Sequence, residues 1–405
     1  MNRVVITGMG VYSCIGKNRN EVKQSLYDGR SGIIFDPARK AFGYRSALTG
    51  YVDRPNLKGL VDRRARIMMP EQAEYAFVAT REAIEQAGIS EVFLQEREIG
   101  LIYGNDSSAE PTVLGADIIR EKKDTTLLGS GSVFQTMNST VTMNLSTIFH
   151  LKGINFTVSA ACASGSHAIG LGYHFIKSGM QECFLRRRPG AEHFLHGQFR
   201  CPLCVFDKEN EPTRAQGPLT KPRRTDSQRW GGYGDTGKPE SALARGADIL
   251  GEVVGYGFSS NGAHISNPTV SGPVRALRMA LKDAGMAPGD VAYINAHATS
   301  TLAGDASEAR AIDEVFGQSR PWVSSTKSMT GHECWMAGAS EIVYSVLMMQ
   351  NGFIAPNINL EEPDEDSAKL NIVRETLNTE FDCLLSNSFG FGGTNSSLII
   401  RKYQS

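Results

Sequence analysis

Three segments of this chain carry side chains able to make and break an acyl bond. Cys162 closes the run Ile154-Asn-Phe-Thr-Val-Ser-Ala-Ala-Cys162 and opens a small-residue stretch, Ala163-Ser-Gly-Ser-His-Ala-Ile-Gly170, that continues with helical character toward Lys177. A sulfur at a strand-to-helix turn lies near unpaired helix N–H groups, whose partial positive charge favours the thiolate. Ala161, Ala163 and Gly165 leave room for a tight turn and for a substrate carbonyl. A cysteine in such a turn is more often simply packed, so this segment alone does not decide.

Two histidines change the balance. His297 follows Tyr293-Ile294-Asn295-Ala296 and opens His-Ala-Thr-Ser-Thr, with Gly304, Asp305 and Glu308 just beyond. His332 ends Ser325-Thr-Lys-Ser-Met-Thr-Gly-His332, and Thr330 is placed to cap a helix running on through Ala339 to Met349. Loops after strands are where α/β proteins build sites, because sheet ends hold loop residues rigidly. A fourth segment, Ser386-Asn-Ser-Phe-Gly-Phe391-Gly-Gly-Thr-Asn395, has more glycine than a hairpin turn needs. That glycine density lets backbone N–H groups point into a cavity, as an oxyanion hole requires.

Elements able to position these segments are visible along the chain. Val4 to Gly8, Ile99 to Gly104, Asp290 to Asn295, Leu384 to Asn387 and Ser397 to Arg401 read as strands between helical stretches, the pattern of an α/β sheet. Arg81-Glu-Ala-Ile-Glu-Gln-Ala-Gly88 and Arg278-Met-Ala-Leu-Lys-Asp-Ala-Gly285 are matching amphipathic helix ends closed by Ala-Gly. The echo predicts two similar halves, residues 1–250 and 251–405, although many α/β helices end this way.

The 405 residues are 41% hydrophobic and 21% charged, with a net charge of -1, so neither nucleic acid nor an anionic membrane surface is favoured as a partner. No apolar run is long enough to span a bilayer, and the N-terminus reads as a strand rather than a signal peptide. With seven scattered cysteines, the expectation is a reduced, cytoplasmic protein.

Taken together, the motifs resemble the β-ketoacyl-acyl carrier protein synthases of type II fatty acid synthesis. The matching pieces are Val4-Val-Ile-Thr-Gly-Met-Gly10, Ala-Cys162-Ala-Ser-Gly, His297-Ala-Thr-Ser-Thr with Gly-Asp305, Lys327-Ser-Met-Thr-Gly-His332, and Asn-Ser-Phe-Gly-Phe391-Gly-Gly-Thr-Asn, in order over 1–183 and 241–405. The wording around Ile154 to Ser166 is closer to the synthase I branch. The resemblance implies a thiolase-like fold of two related α/β halves in five layers, and a homodimer. It implies that Cys162 accepts the acyl chain, while His297 and His332 support decarboxylation of malonyl-acyl carrier protein. It further implies an oxyanion hole from the N–H groups of Cys162 and Phe391. Lys327, Asp305 and Glu308 map to polar residues orienting the histidines, Thr299, Thr301 and Phe389 to substrate contacts, and Arg63, Arg64 and Arg66 to carrier-protein docking. No metal or organic cofactor is implied.

The chain also departs from this family. Ala298 stands where glycine is usual, and Glu333-Cys334-Trp335-Met336 replaces small residues, which could reshape the pocket. From Phe184 to Glu240 the strand and helix motifs of the family are absent, and basic, proline-broken runs such as Arg186-Arg-Arg-Pro189 take their place. Codons compatible with Arg186–Ala191, His193–Cys204, Gly217–Arg223 and Ser227–Lys238 regenerate four family runs in order when shifted by one or two bases. The segment therefore reads as translated out of frame, and the literal chain is expected to fold poorly or be inactive. On that view the zinc-like set His193, His196, Cys201 and Cys204 arose by chance. Competing functions are a ketosynthase of a polyketide or aryl-polyene pathway, a non-catalytic chain-length-factor-like subunit, and a thiol hydrolase.

Overall fold

In the computed structural model, residues 1–187, 231–237 and 246–404 are described. Eleven strands form one sheet: β1 (Val5–Tyr12), β2 (Gly100–Gly104), β3 (Asn155–Val158), β4 (Cys183–Arg187), β5 (Gly231–Gly237), β6 (Gly251–Ser260), β7 (Tyr293–Asn295), β8 (Trp322–Ser324), β9 (Asn371–Ile372), β10 (Cys383–Gly390) and β11 (Thr394–Arg401). Their spatial order is β9-β8-β7-β10-β11-β6-β1-β5-β4-β2-β3.

The order is symmetric about its centre. Outward from β1, the pairings with β5 and then β4 are antiparallel, and those with β2 and β3 parallel. Outward from β6, the pairings with β11 and β10 are antiparallel, and those with β7 and β8 parallel. The two sets meet at a short ladder, Val5 opposite Glu252 and Ile6 opposite Gly251. Five main helices complete the frame: α1 (Glu71–Gln86), α2 (Ser164–Lys177), α3 (Ser271–Ala284), α4 (Leu302–Phe316) and α5 (Ala337–Asn351).

The echoed sequences do the same work in each set. A Cβ at Gly8 or Gly10 would fall 2.2 and 2.0 Å from the carbonyls of Ala83 and Ala79, so β1 and α1 touch backbone to backbone. Gly255 and Gly257 meet Ala280 and Ala276 of α3 in the same way, at 2.4 and 1.9 Å. Glycine on the strand and alanine every fourth residue on the helix are what so close an approach demands.

Between the two sets run α2 and α5, each packed against strands of both. In α5 every residue from Ala337 to Met349 is buried, as expected of a helix enclosed on all sides. The layers therefore run α1, sheet, α2 with α5, sheet, α3 with α4. This is the thiolase-like α/β arrangement, with one difference from two separate sheets: the β1–β6 ladder makes the sheet continuous around the central helices.

Two local expectations need correction. Thr330 does not cap α5. It closes a separate short helix, Lys327–Thr330, and α5 begins only at Ala337 after a turn at Cys334–Met336. The region from Phe184, which lacks a strand signal in sequence, supplies β4 and β5 in mid-sheet. A ladder needs main-chain groups, and Gly231–Gly237 is too rich in glycine to show a hydrophobic alternation. The presence of both strands does not match the anticipated loss of core strands. Residues 188–230, including His193, His196, Cys201 and Cys204, lie outside the described residues, as do 238–245.

Candidate active site

Cys162, the candidate nucleophile, sits on a strained turn. β3 ends at Val158, and Ala161 takes φ 45°, a left-handed value uncommon for alanine. Ser164 holds the turn: its Oγ donates to the Ala161 carbonyl at 2.7 Å and accepts from the Ala160 N–H at 2.8 Å. The thiol of Cys162 is pushed up to about 11 by burial, while the Lys327 charge and the N–H groups of Phe391 and Cys162 itself pull the other way. The thiolate expected from the helix terminus is thus not the resting form, because desolvation outweighs those donors.

His297 leaves the end of β7, buried and with no hydrogen-bond partner at Nδ1. His332 follows the Lys327–Thr330 helix. The two rings stand 5.3 Å apart, nearly perpendicular at 88°. Cys162 Sγ and a nitrogen from each ring all lie within 4.8 Å of one another, so residues 162, 297 and 332 converge as the sequence predicts. Burial first, then the charges of Lys327 and His332, hold His297 well below the ordinary imidazole range. It is neutral at pH 7. One sulfur and two imidazoles could also grip a thiophilic cation, against which the ammonium of Lys327 would act.

Behind the histidines, buried acids hold main chain. Glu308 on α4 accepts from the N–H of His297 at 2.9 Å and of Ala298 at 2.7 Å, and from the Asn387 amide at 3.0 Å. Burial still raises its carboxyl above the usual range. Asp305 accepts from the N–H groups of Thr299, Ser300 and Thr301 at 3.0, 3.1 and 3.3 Å, fixing a loop in which Ser300 has φ 64°. Both acids therefore hold the backbone of the loop that carries His297. Lys327 is paired with Glu341, and both side chains are almost wholly buried.

Glu341 and Asn387 were not among the residues singled out in the sequence. Glu341 is the single charge in the otherwise apolar α5, and that isolation was a usable signal. Asn387 lies inside the glycine-rich motif and is itself held by the Ser397 hydroxyl at 2.8 Å.

The remaining candidates are less tightly gathered. The Phe389 ring lies 6.0 Å from His297, and Phe391 is 51% exposed. The hydroxyls of Thr299 and Thr301 are 3.2 Å apart. Arg63 and Arg64 are exposed at the start of the short helix Arg63–Met68, capped by Asp62, while Arg66 is half-buried.

The profile of the β-ketoacyl synthase N-terminal domain matches residues 1–185, and that of the C-terminal domain matches 250–361. The chain belongs to the β-ketoacyl synthase family. It is 41% identical to 3-oxoacyl-[acyl-carrier-protein] synthase 1 of Escherichia coli K12, over 99% of each chain. It is 38% identical to the protein of the same name from Haemophilus influenzae, over the full length of both. A β-ketoacyl synthase from Burkholderia phymatum, solved by crystallography, superposes with a TM-score of 0.91 at 33% identity over all of both chains. The stretch between the two matches, residues 186–249, holds all but the first two residues of the out-of-pattern segment.

Within this synthase the bulky residues after His332 are accommodated by the core. Glu333 is buried and accepts from the Tyr344 hydroxyl at 2.8 Å. Met336 packs with Tyr12, Val52 and Tyr75, and Trp335 lies half-buried against them. Ala298 is likewise buried. Among the described residues, no helix is long and apolar enough to cross a membrane.

Proposed function

We propose that this chain is a 3-oxoacyl-[acyl-carrier-protein] synthase that elongates a Cys162-bound acyl chain by decarboxylative condensation with malonyl-acyl carrier protein. The observation that carries this reading is the approach of one thiol and two imidazoles to within 4.8 Å at the strand ends. The names of the relatives above support the substrate class and an acyl carrier protein as partner.

Because the thiol rests protonated, a neutral imidazole must take its proton as sulfur attacks the carrier-bound thioester. The carrier's thiolate leaves and is protonated in turn, giving acyl-Cys162. In the second half-reaction the C–C bond to the malonyl carboxylate breaks, CO2 departs, and the electron pair becomes an enolate. Neutral His297 suits that step, since an N–H donor stabilises the enolate oxygen, and His332 faces the same space. The carbanion attacks acyl-Cys162, whose carbonyl oxygen rests on the N–H groups of Phe391 and Cys162, and the sulfur is released. Lys327 and Glu308 keep the histidine loops in place, Thr299, Thr301 and Phe389 contact the pantetheine arm and acyl chain, and Arg63, Arg64 and Arg66 receive the acidic carrier. No step calls for a metal or organic cofactor.

We read residues 1–250 as the half carrying the nucleophile and 251–405 as the half carrying both histidines. We also read the protein as a cytoplasmic homodimer. Among the described residues β3 is the outermost strand at its end of the sheet, with Phe156 exposed, and such an edge is a template for a second copy. Sedimentation at micromolar concentration should give a dimer.

The decisive assay measures condensation of acyl- and malonyl-acyl carrier protein by this chain, by Cys162→Ala, and by a frame-corrected chain. Activity in the literal chain that vanishes in Cys162→Ala supports the reading. Activity in the frame-corrected chain alone means the literal segment inactivates it. Silence in both removes the proposal. Defined primers would separate fatty acid elongation from a specialised pathway.

A further inference from the structure

One half-buried histidine takes no part in the chemistry above. His167 lies on α2, five residues past Cys162, and both of its ring nitrogens are engaged across the molecule. Nδ1 meets the Tyr256 hydroxyl of β6 at 2.5 Å, and Nε2 meets the Thr394 hydroxyl of β11 at 2.8 Å. The fold makes space for this contact. A Cβ on Gly170, one turn further along α2, would fall 2.3 Å from the Tyr256 ring, so bare backbone is needed there for the ring to enter.

Thr394 is the first residue after the Phe391–Gly393 turn, in which Gly392 and Gly393 take φ 79° and 76°. That turn carries the N–H that reaches the Cys162 sulfur. Its packing leaves no slack: a Cβ on Gly390 would lie 2.8 Å from the Thr394 methyl, 3.0 Å from the Ala160 carbonyl and 3.2 Å from the Cys162 nitrogen. Other bonds tether the turn to the second half. The Gly392 N–H donates to Ile265 at 2.7 Å, and the Asn395 amide donates to the Gly393 carbonyl at 3.0 Å and to Asn261 at 2.9 Å. His167, seconded by the Ser166–Ser396 hydroxyl contact at 2.6 Å, ties it to the helix that carries the nucleophile.

We propose that His167, through Thr394, is a positioning residue that sets the Phe391 N–H against Cys162 and so forms the thioester oxyanion hole. The two halves of that hole come from opposite halves of the molecule, and a displacement of an ångström is enough to spoil it. Burial keeps the ring neutral, with a pKa near about 4, so at pH 7 one nitrogen donates and the other accepts. The role rests on the condensing-enzyme reading.

The test separates acyl transfer from decarboxylation, because the latter relies on His297 and His332 and not on the Phe391 N–H. His167→Phe removes both bonds, Thr394→Val removes one with little change of shape, and His167→Gln keeps an amide within reach of Thr394. Single-turnover acylation of Cys162, read by intact mass, should fall roughly 10²-fold in His167→Phe and Thr394→Val. Malonyl-acyl carrier protein decarboxylation should fall at least tenfold less, and His167→Gln should recover most of the loss. Acylation and decarboxylation falling together, or acylation unchanged, overturns the role while leaving the parent reading intact. A wild-type chain that performs neither half-reaction overturns both.

Discussion

The turn that carries Cys162 and the loops that carry the two histidines sit at the ends of matching parallel strands, β3 on one side and β7 and β8 on the other, yet they are held by different forces. Around the nucleophile the means are conformational: a left-handed alanine, a serine hydroxyl and N–H donors, with no buried acid in the turn. Around the histidines the means are ionic: Glu308, Asp305 and the Lys327–Glu341 pair, all buried. Burial raises the Cys162 thiol, the N–H donors lower it alongside the Lys327 charge, and the Asp106 charge opposes them. Imidazoles that must stay neutral can tolerate acids, provided those acids bind main chain.

Four experiments would break or sharpen this contrast. If burial governs the thiol, Cys162 alkylation by iodoacetamide should climb about tenfold per pH unit, roughly 10³-fold from pH 7 to 10, toward its pKa of about 11. A plateau near pH 7 would mean that the helix terminus wins after all. If the ionic side is structural, Lys327→Met should cost about 3–5 kcal/mol in urea denaturation by stranding Glu341. The double variant with Glu341→Leu should then regain most of that loss while staying inactive.

Glu308→Gln replaces an acceptor facing two N–H groups and should slow decarboxylation roughly 10²-fold by moving His297. Cys162 alkylation should hardly change, and equal damage to both would erase the distinction between the regions. The smallest effect belongs to the surface. Arg63→Ala with Arg64→Ala should raise KM for carrier protein several-fold, at low salt more than at high salt, with kcat unchanged.

Local signals made part of this molecule legible. Strand runs such as Val4–Gly8 and Ile99–Gly104 fall where their branched residues place them, and the Ala-Gly helix ends do close α1 and α3. The Thr330 cap failed because a threonine before a helix is a common coincidence, and the turn at Cys334–Met336 carries no local signature. β4 and β5 were invisible because what places them is a main-chain ladder against the flanks of β2 and β1, which lie far away in the sequence.

The order of residue types along the chain by itself singled out Cys162, His297 and His332 as the candidate reacting groups, because three site-like segments coincide although no one of them decides alone. Only the tertiary structure decided the protonation of Cys162 and His297 and what supports the three groups. Whether a thiol rests neutral, and whether Glu308 meets backbone or imidazole, depends on desolvation and on partners far away in the chain, which no single segment encodes.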